Sequence, residues 1–600
     1  MSSSQVVQEP AVDAVVMGMG VTGGIIATEL SIAGYKVVGI DKGPFWDYTT
    51  DFAPLKYDEW GAGLQRKFDH PLPLSSVTIR NTSDQFALPV RRYTMPIQYH
   101  ALGHGVGGAA LHYGGAMGRM GSWAYQMYSQ TVEKYGEDFL NTVNPHSDLE
   151  DWPMTYDEYE PYYVDWERAW GLTGTNQGPL VPMSANYPMK PHPSTPVATM
   201  FQSAAESLGY SPYPQVTSLA SESYVNQYGV SINPCVYDGW CGGICQYACE
   251  TGAKASSGFR VVPAAMKTGN FTLVTNCYLF RVDFDSSSGL ATAVRYIDPE
   301  GVIHVQPATI FWCGLWGYNI IRMMLLSGIG TPYDPVTITG SVGRGLTNGY
   351  TPYLGTSVKG TLDNVGGNSY PAGNGQGGGY CMYDLMDDNF DHTGLNFIGG
   401  AYPVIGTYLG SGPQNIVLAG SSTAASMGST YKQSLQNMYL QSKVTVSGTY
   451  FAPDLPNTDN YIDLDPNYTD QYGDPIARET WDWTPNTYNG ATFLAPVMAK
   501  VFEKMGASNV TVSATVPPGS ANTDWWGAHQ RSGCRVGINP STSVFNKYNQ
   551  AWECNNFFAA GEITNTTGDT VPSGTHIVGP QVYVAAEGMK KYLTSPGPLV

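Results

Sequence analysis

Residues 12–44 constrain this chain more than any other stretch. A valine-rich run, Val12 to Val16, leads into Gly18-Met19-Gly20-Val21-Thr22-Gly23. Apolar residues at helical spacing follow (Ile25, Ile26, Leu30, Ile32) and stop at Gly34; a second strand pattern, Tyr35 to Ile40, ends on Asp41. Strand, glycine turn, helix and strand, with an acid about 20 residues beyond the turn, make the full context of a dinucleotide-binding unit. Gly18 permits the tight turn, Gly20 lets the backbone approach a pyrophosphate, and Gly23 lets helix and strand pack closely. Asp41 is expected to accept hydrogen bonds from the adenosine ribose. The bland alternative, a glycine turn with no nucleotide, does not account for the whole unit.

A second glycine-rich segment, residues 101–120 (ALGHGVGGAALHYGGAMGRM), has little side-chain volume, so its backbone is expected to pass close to something flat or anionic. Asn270 to Asp283 and Ala291 to Ile297 read as paired strands, and residues 307–330 as a strand, a turn and a helix ending in glycine. From about 346 to 520 Gly, Asn, Thr and Tyr are dense, helical patterns are few, and alternating strands such as Lys443 to Phe451 occur. The α/β pattern returns in residues 555–590. The expected fold is α/β: a Rossmann-like domain built from both chain ends (1–345 and 521–600), with a mostly antiparallel, β-rich substrate domain (346–520) inserted.

Six hundred residues exceed one hydrophobic core, which fits that two-lobed plan. Thirty Lys and Arg against 49 Asp and Glu give a net charge of −19, and charged residues make up only 13% where about 25% is typical. An acidic surface repels phosphate backbones, which weighs against nucleic-acid binding. The weakly charged, Gly- and Tyr-rich make-up points to an exported, loop-rich enzyme. Yet the N-terminus has no basic region followed by a separate apolar one, so export is expected to depend on another chain. No uninterrupted apolar stretch approaches a membrane-spanning length.

Four of the nine cysteines (Cys235, Cys241, Cys245, Cys249) lie within 15 residues, and the other five are scattered. Three readings compete. Zinc favours paired C-x2-C ligands, a spacing absent here. Disulfides suit an oxidising compartment. An iron–sulfur cluster held by closely spaced thiolates matches the density.

Three separated segments together resemble the glucose–methanol–choline (GMC) flavoprotein oxidoreductases: the N-terminal unit ending in IDKGP, residues 103–115 (GHGVGGAALHYGG), and the C-terminal stretch that begins at His529 and runs into GTHIVGPQVYVAAEGM. Within the family the chain looks like the flavoprotein subunits of membrane-bound bacterial sugar and sugar-acid dehydrogenases, the gluconate 2-dehydrogenase group. The segments at 75–89, 252–256, 326–336 and 461–483 carry that likeness. Two departures stand out: His529-Gln530-Arg531-Ser532-Gly533 replaces the commoner His-x-x-Gly-Thr, and Thr575-His576 stands where Asn-Pro is usual.

The resemblance implies bound FAD, with Gly18, Gly20, Gly23, Asp41, Gly105, Gly107, Gly108, His112, Gly561 and Glu562 around it. His112 matches the flavin-linking histidine of some relatives; the alternative is a histidine packed beside non-covalent flavin. His529 is implied as the base that removes the hydroxyl proton while carbon gives up hydride, a role suited to a neutral imidazole. His576 is implied as the partner that orients the same oxygen. The cysteine cluster is implied to hold a three-iron, four-sulfur centre as a one-electron relay. Trp525 and Trp526, just before His529, either stack on a sugar ring or fill core.

The resulting expectation is a dehydrogenase that oxidises a secondary alcohol of a sugar or sugar acid on the periplasmic side of the inner membrane. Its expected partners are a small subunit carrying the export signal and a cytochrome c subunit, with membrane contact only through them. Competing readings are an oxidase that reduces oxygen, a catalytically silent assembly subunit, and a cytoplasmic location.

Overall fold

The chain is described here from a computed structural model, which covers residues 5–52, 76–80, 91–94, 105–176, 178, 180–235, 249–349, 358–363, 377–405, 443–451, 453–512, 529–568 and 573–599. The valine-rich run forms β1 (Val12–Met17), the helical pattern α1 (Val21–Ile32), and the second apolar run β2 (Val37–Ile40), buried along its whole length. The register Ala14↔Val37 to Met17↔Ile40 is parallel. Continuous rather than alternating apolar runs are what strands covered on both faces require.

Helix α2 (Tyr156–Trp170) has a complete capping box between Thr155 and Glu158 and stops at Gly171, whose φ of +70° suits a left-handed cap. Two parallel strands flank the first pair: β3 (Phe271–Val274) beside β2, and β4 (Ile303–Cys313) beside β1. After β4 comes α3 (Tyr318–Ser327), closed by Gly328 as the 307–330 pattern predicts. Near the C-terminus β5 (Cys554–Ala559) pairs in parallel with β4, giving the order β3-β2-β1-β4-β5. The strands Tyr278–Asp285 and Leu290–Ile297 extend this sheet as an antiparallel meander.

Between β4 and β5 in the chain lies α4 (Pro485–Lys504), and after β5 comes α5 (Gly574–Thr594). α5 packs on α1 and α2 through one apolar cluster that joins Ile25, Leu30, Trp166, Val582, Ala585 and Met589. Gly579 makes the α2–α5 approach possible, since a Cβ there would sit 2.3 Å from the Trp166 ring.

The second lobe consists of two six-stranded sheets. One runs Gln530–Gly533, Arg344–Asn348, Tyr461–Thr469, Pro475–Thr480, Ser76–Arg80, Arg91–Thr94, antiparallel except where Pro475–Thr480 meets Ser76–Arg80. The other runs Ser508–Val512, Val358–Asp363, Lys443–Phe451, Tyr402–Ile405, Tyr380–Met382, Pro212–Pro214 and is antiparallel throughout. These sheets therefore reach outside 346–520, drawing strands from residues 76–80, 91–94, 212–214 and 530–533. The chain crosses between lobes several times, so a single contiguous insertion does not describe it.

α4 is the other difference from expectation, twenty helical residues in a stretch whose composition suggests strands. Thr484 caps its first turn, Pro485 occupies the first helical position, and Leu494, Met498, Val501 and Phe502 are buried at helical spacing. No helix among the described residues is long and apolar enough to cross a membrane.

Candidate active site

The carboxyl ends of β1, β2, β4 and β5 deliver Gly18, Asp41, Gly314 and Gly561 to one rim, the crevice where open parallel sheets bind ligands. Gly18 has a φ of +83°, and a Cβ on Gly23 would lie 1.9 Å from the Gly18 carbonyl oxygen, so this turn needs both glycines. α1 starts at Val21, with no side chain capping its N-terminus. Gly107 N–H donates to the Met19 carbonyl at 3.0 Å, and a Cβ on Gly108 would stand 3.0 Å from the Gly20 Cα. Gly105 also belongs to this close approach; a Cβ there would meet the Trp46 ring at 2.3 Å.

Ser257 Oγ donates to the Met19 carbonyl, while its neighbour Ser256, against Gly107, has a buried hydroxyl with no hydrogen-bond partner among the described residues. A glycine floor, an uncapped helix N-terminus and an orphaned buried hydroxyl fit the pyrophosphate and ring system of a flavin dinucleotide.

Asp41 is placed differently from expectation. Its two oxygens accept the backbone N–H groups of Met19 (2.8 Å) and Gly43 (2.9 Å), so the carboxylate braces the glycine turn first, and only its remaining lone pairs are left for a ribose. Burial pushes its carboxyl up, against the pull of those two hydrogen bonds.

His112 ends the short 3₁₀ turn Gly108–Leu111 and is partly buried. The carbonyls on either side of it, Leu111 and Tyr113, both accept from the buried Lys254 ammonium, at 2.8 and 3.1 Å. Lys254 thus grips the backbone around His112, a role that no motif signalled. Its own backbone N–H donates to Cys249 Sγ at 3.3 Å. Cys235 and Cys249 pack against the same small apolar cluster of Met189, Ala220, Ile232 and Ala253. The fully buried Arg260 donates to the carbonyls of Trp170, Gly252 and Ala253, which anchors the turn after Cys249. Cys241, Cys245, Trp525 and Trp526 lie outside the described residues. Among the described residues no group of three or more His, Cys, Asp or Glu side chains is placed to hold a metal ion.

His529 precedes the strand Gln530–Gly533, where the second lobe meets the nucleotide-binding sheet, and its side chain is 30% exposed. Its Nδ1 faces Glu562 Oε2 at 3.8 Å, and Arg531 Nε faces the same oxygen at 3.7 Å. Burial pushes the Glu562 carboxyl up, but His529 and Arg531 together outweigh it and hold the group below its ordinary value. Glu562, expected among the flavin contacts, therefore turns its carboxylate toward a histidine and an arginine. Gln530 donates to Glu479, whose other oxygen is buried without a hydrogen bond among the described residues; burial lifts this carboxyl far above the usual range, which favours the neutral acid.

His576, expected to orient the alcohol oxygen, stands in a sealed setting. It is fully buried on α5; Nδ1 accepts the Gly118 N–H at 2.9 Å and Nε2 pairs with Glu167 at 3.0 Å. Glu167 is in turn clamped by Arg119 through two contacts of 2.7 and 2.8 Å. Burial pushes the imidazole below its usual value, and Glu167 offsets part of that. Both ring nitrogens are thus engaged inside the protein.

A sequence profile described as GMC oxidoreductase matches residues 456–562. The gluconate 2-dehydrogenase flavoprotein of Pantoea cypripedii is 32% identical over 98% of this chain and 95% of its own length. The fructose dehydrogenase large subunit of Gluconobacter japonicus is 23% identical over 94% of each chain. Among solved structures, pyridoxine 4-oxidase from Mesorbium loti superposes with a TM-score of 0.56 at 14% identity, covering 96% of this chain and 98% of its own, a likeness of fold.

Proposed function

Because the chain belongs to the GMC oxidoreductase family, FAD-dependent enzymes acting on CH–OH groups, we propose that it is a dehydrogenase for a secondary alcohol of a sugar or sugar acid, with gluconate the type substrate. FAD, when bound, supplies the two-electron acceptor for the hydride. Gly18, Gly20, Gly23, Gly105, Gly107 and Gly108 admit the cofactor's backbone-close portions, and Ser256 offers it a hydroxyl. Asp41 sustains the turn that receives the pyrophosphate, and Gly561 closes the rim at the end of β5. His112 is the proposed covalent attachment point.

His529 receives the hydroxyl proton of the substrate, and His576 holds α5 to the backbone of Gly118. The observation that carries this assignment is the contrast between a partly exposed imidazole at the junction of the lobes and a sealed one. Kinship over nearly the whole chain with a gluconate 2-dehydrogenase flavoprotein supports the substrate class.

The proposed electron exit is an iron–sulfur cluster on Cys235, Cys241, Cys245 and Cys249, serving a cytochrome c partner at the periplasmic face, with a small subunit providing export. Lys254 supports it by joining the Cys249 turn to the backbone around His112. A relative named as a large subunit supports a multi-chain assembly.

The test is anaerobic mixing of the purified protein with sugars and aldonic acids, reading flavin absorbance, together with assays for iron and acid-labile sulfide. Bleaching by an aldonic acid with iron present is expected. Bleaching only by simple alcohols overturns the substrate class, and full flavin with no iron overturns the relay.

A further inference from the structure

We infer that Glu562 is the positioning residue of His529: its carboxylate holds the imidazole with Nδ1 protonated and turned inward, so that Nε2 is the nitrogen presented to the alcohol. The inference rests on the reading of His529 as the base.

Three observations lead to it. The Glu562 side chain lies across Gly574, where a Cβ would come within 2.2 Å of its carboxyl carbon, so a glycine at the start of α5 reserves the space for this carboxylate. Its Oε2 is buried and has no hydrogen bond among the described residues, yet two side chains of opposite charge capacity converge on it, His529 Nδ1 at 3.8 Å and Arg531 Nε at 3.7 Å. His529 and Arg531 are two residues apart along an extended segment, a spacing that places both on one side of it. A distance of 3.8 Å is longer than a formed hydrogen bond, and catalytic contacts of this kind commonly tighten once substrate is bound.

Among the described residues, the charged and titratable groups that face Glu562 are His529 and Arg531. Arg531, fully buried, keeps the carboxylate ionised while His529 changes its charge. In the reaction the substrate O–H bond would break with its proton moving to Nε2 of His529, and FAD, when bound, would supply the acceptor for the hydride as the alcohol becomes a carbonyl. The imidazole becomes an imidazolium with Nδ1–H still directed at Glu562, which gains no proton. A fixed carboxylate stabilises that cation and selects the tautomer before the reaction starts.

The test uses the holoprotein with gluconate and compares Glu562→Gln, Glu562→Asp and His529→Ala. For Glu562→Gln, retained flavin content and melting temperature are expected, with flavin reduction at saturating substrate slowed ~10-fold or more and KM little changed. Glu562→Asp, which keeps the carboxylate, should recover most of the rate, with KM again near the parent value. If His529→Ala abolishes reduction while Glu562→Gln leaves the rate at saturating substrate unmoved, the positioning role is overturned and the base assignment stands. If His529→Ala reduces its flavin normally, the base assignment itself is overturned.

Discussion

Two clusters of the same three residue types sit in different parts of this protein. In one, His576, Glu167 and Arg119 are 0, 2 and 0% exposed, with the imidazole 3.0 Å from the carboxylate and the guanidinium 2.7 Å from it. In the other, His529 is 30% and Glu562 24% exposed, with separations of 3.8 and 3.7 Å to the carboxylate. The first is sealed, with both imidazole nitrogens engaged by protein partners, and acts as a lock between α2, α5 and the segment around Gly118. The second is partly open to solvent, and its imidazole stands farther from the carboxylate. Composition is therefore no guide to role; the two histidines differ in how far they are sealed from solvent and in how closely the carboxylate grips them.

Breaking each cluster in turn should expose the difference. The largest effect belongs to His529→Ala, for which stopped-flow flavin reduction is expected to fall ~10²–10⁴-fold with the fold intact. Arg119→Met strikes the other cluster and leaves a buried Glu167 with half its partners; chemical denaturation should show a loss of about 3–5 kcal/mol, and a loss within error would mean that the lock is not structural. His576→Gln keeps polar groups near Gly118 and Glu167, so about 1–3 kcal/mol of stability is expected to go, with flavin reduction changed only a few-fold per folded enzyme. A rate loss matching that of His529→Ala would return His576 to the chemistry.

The smallest effect comes from pH, and its sign separates buried from surface histidines. Burial lowers the folded value of His576 below 6.5, so its contribution is present above that pH and is lost as pH falls through 6.5 toward the folded value. His304, by contrast, contacts Glu9 at 2.7 Å and Asp298 at 3.0 Å. Burial opposes its protonation, yet the two carboxylates win and raise it above 6.5. Its contribution is complete below 6.5 and disappears as pH rises through the folded value, an effect on the order of a few tenths of a kcal/mol. Melting curves of His304→Gln and His576→Gln from about pH 5 to about pH 8 should diverge from the parent protein at opposite ends.

The nucleotide-binding half was legible because its signals are local. Gly18, Gly20 and Gly23 answer to a turn and two close approaches, and β1, α1 and β2 appear where the apolar runs change period. Lys443–Phe451 is a strand for the same reason. The second lobe was less legible because strand pairing is chosen by distant partners: nothing within residues 76–80, 91–94 or 530–533 indicates that they join one sheet. α4 was hidden by Tyr488, Asn489 and Gly490 near its start, residues that read as strand or turn. At the site, both histidines stood out in the sequence, but the side chains that define their roles did not. Glu167 and Arg119 seal His576 from a helix and a loop more than 400 residues earlier in the chain, and Lys254 looks like any other lysine until it is found buried. Asp41 follows β2, and its carboxylate accepts the backbone N–H groups of the turn, contacts that no motif signalled.

The most direct test is a crystal structure of the flavin-loaded enzyme with a non-reactive sugar-acid analogue bound. The account predicts His529 Nε2 within about 2.6–3.2 Å of the oxygen that stands for the reacting hydroxyl, while His576 still accepts from Gly118 and pairs with Glu167. A ligand hydroxyl on His576, with the Glu167 contact broken and His529 turned away, would contradict it.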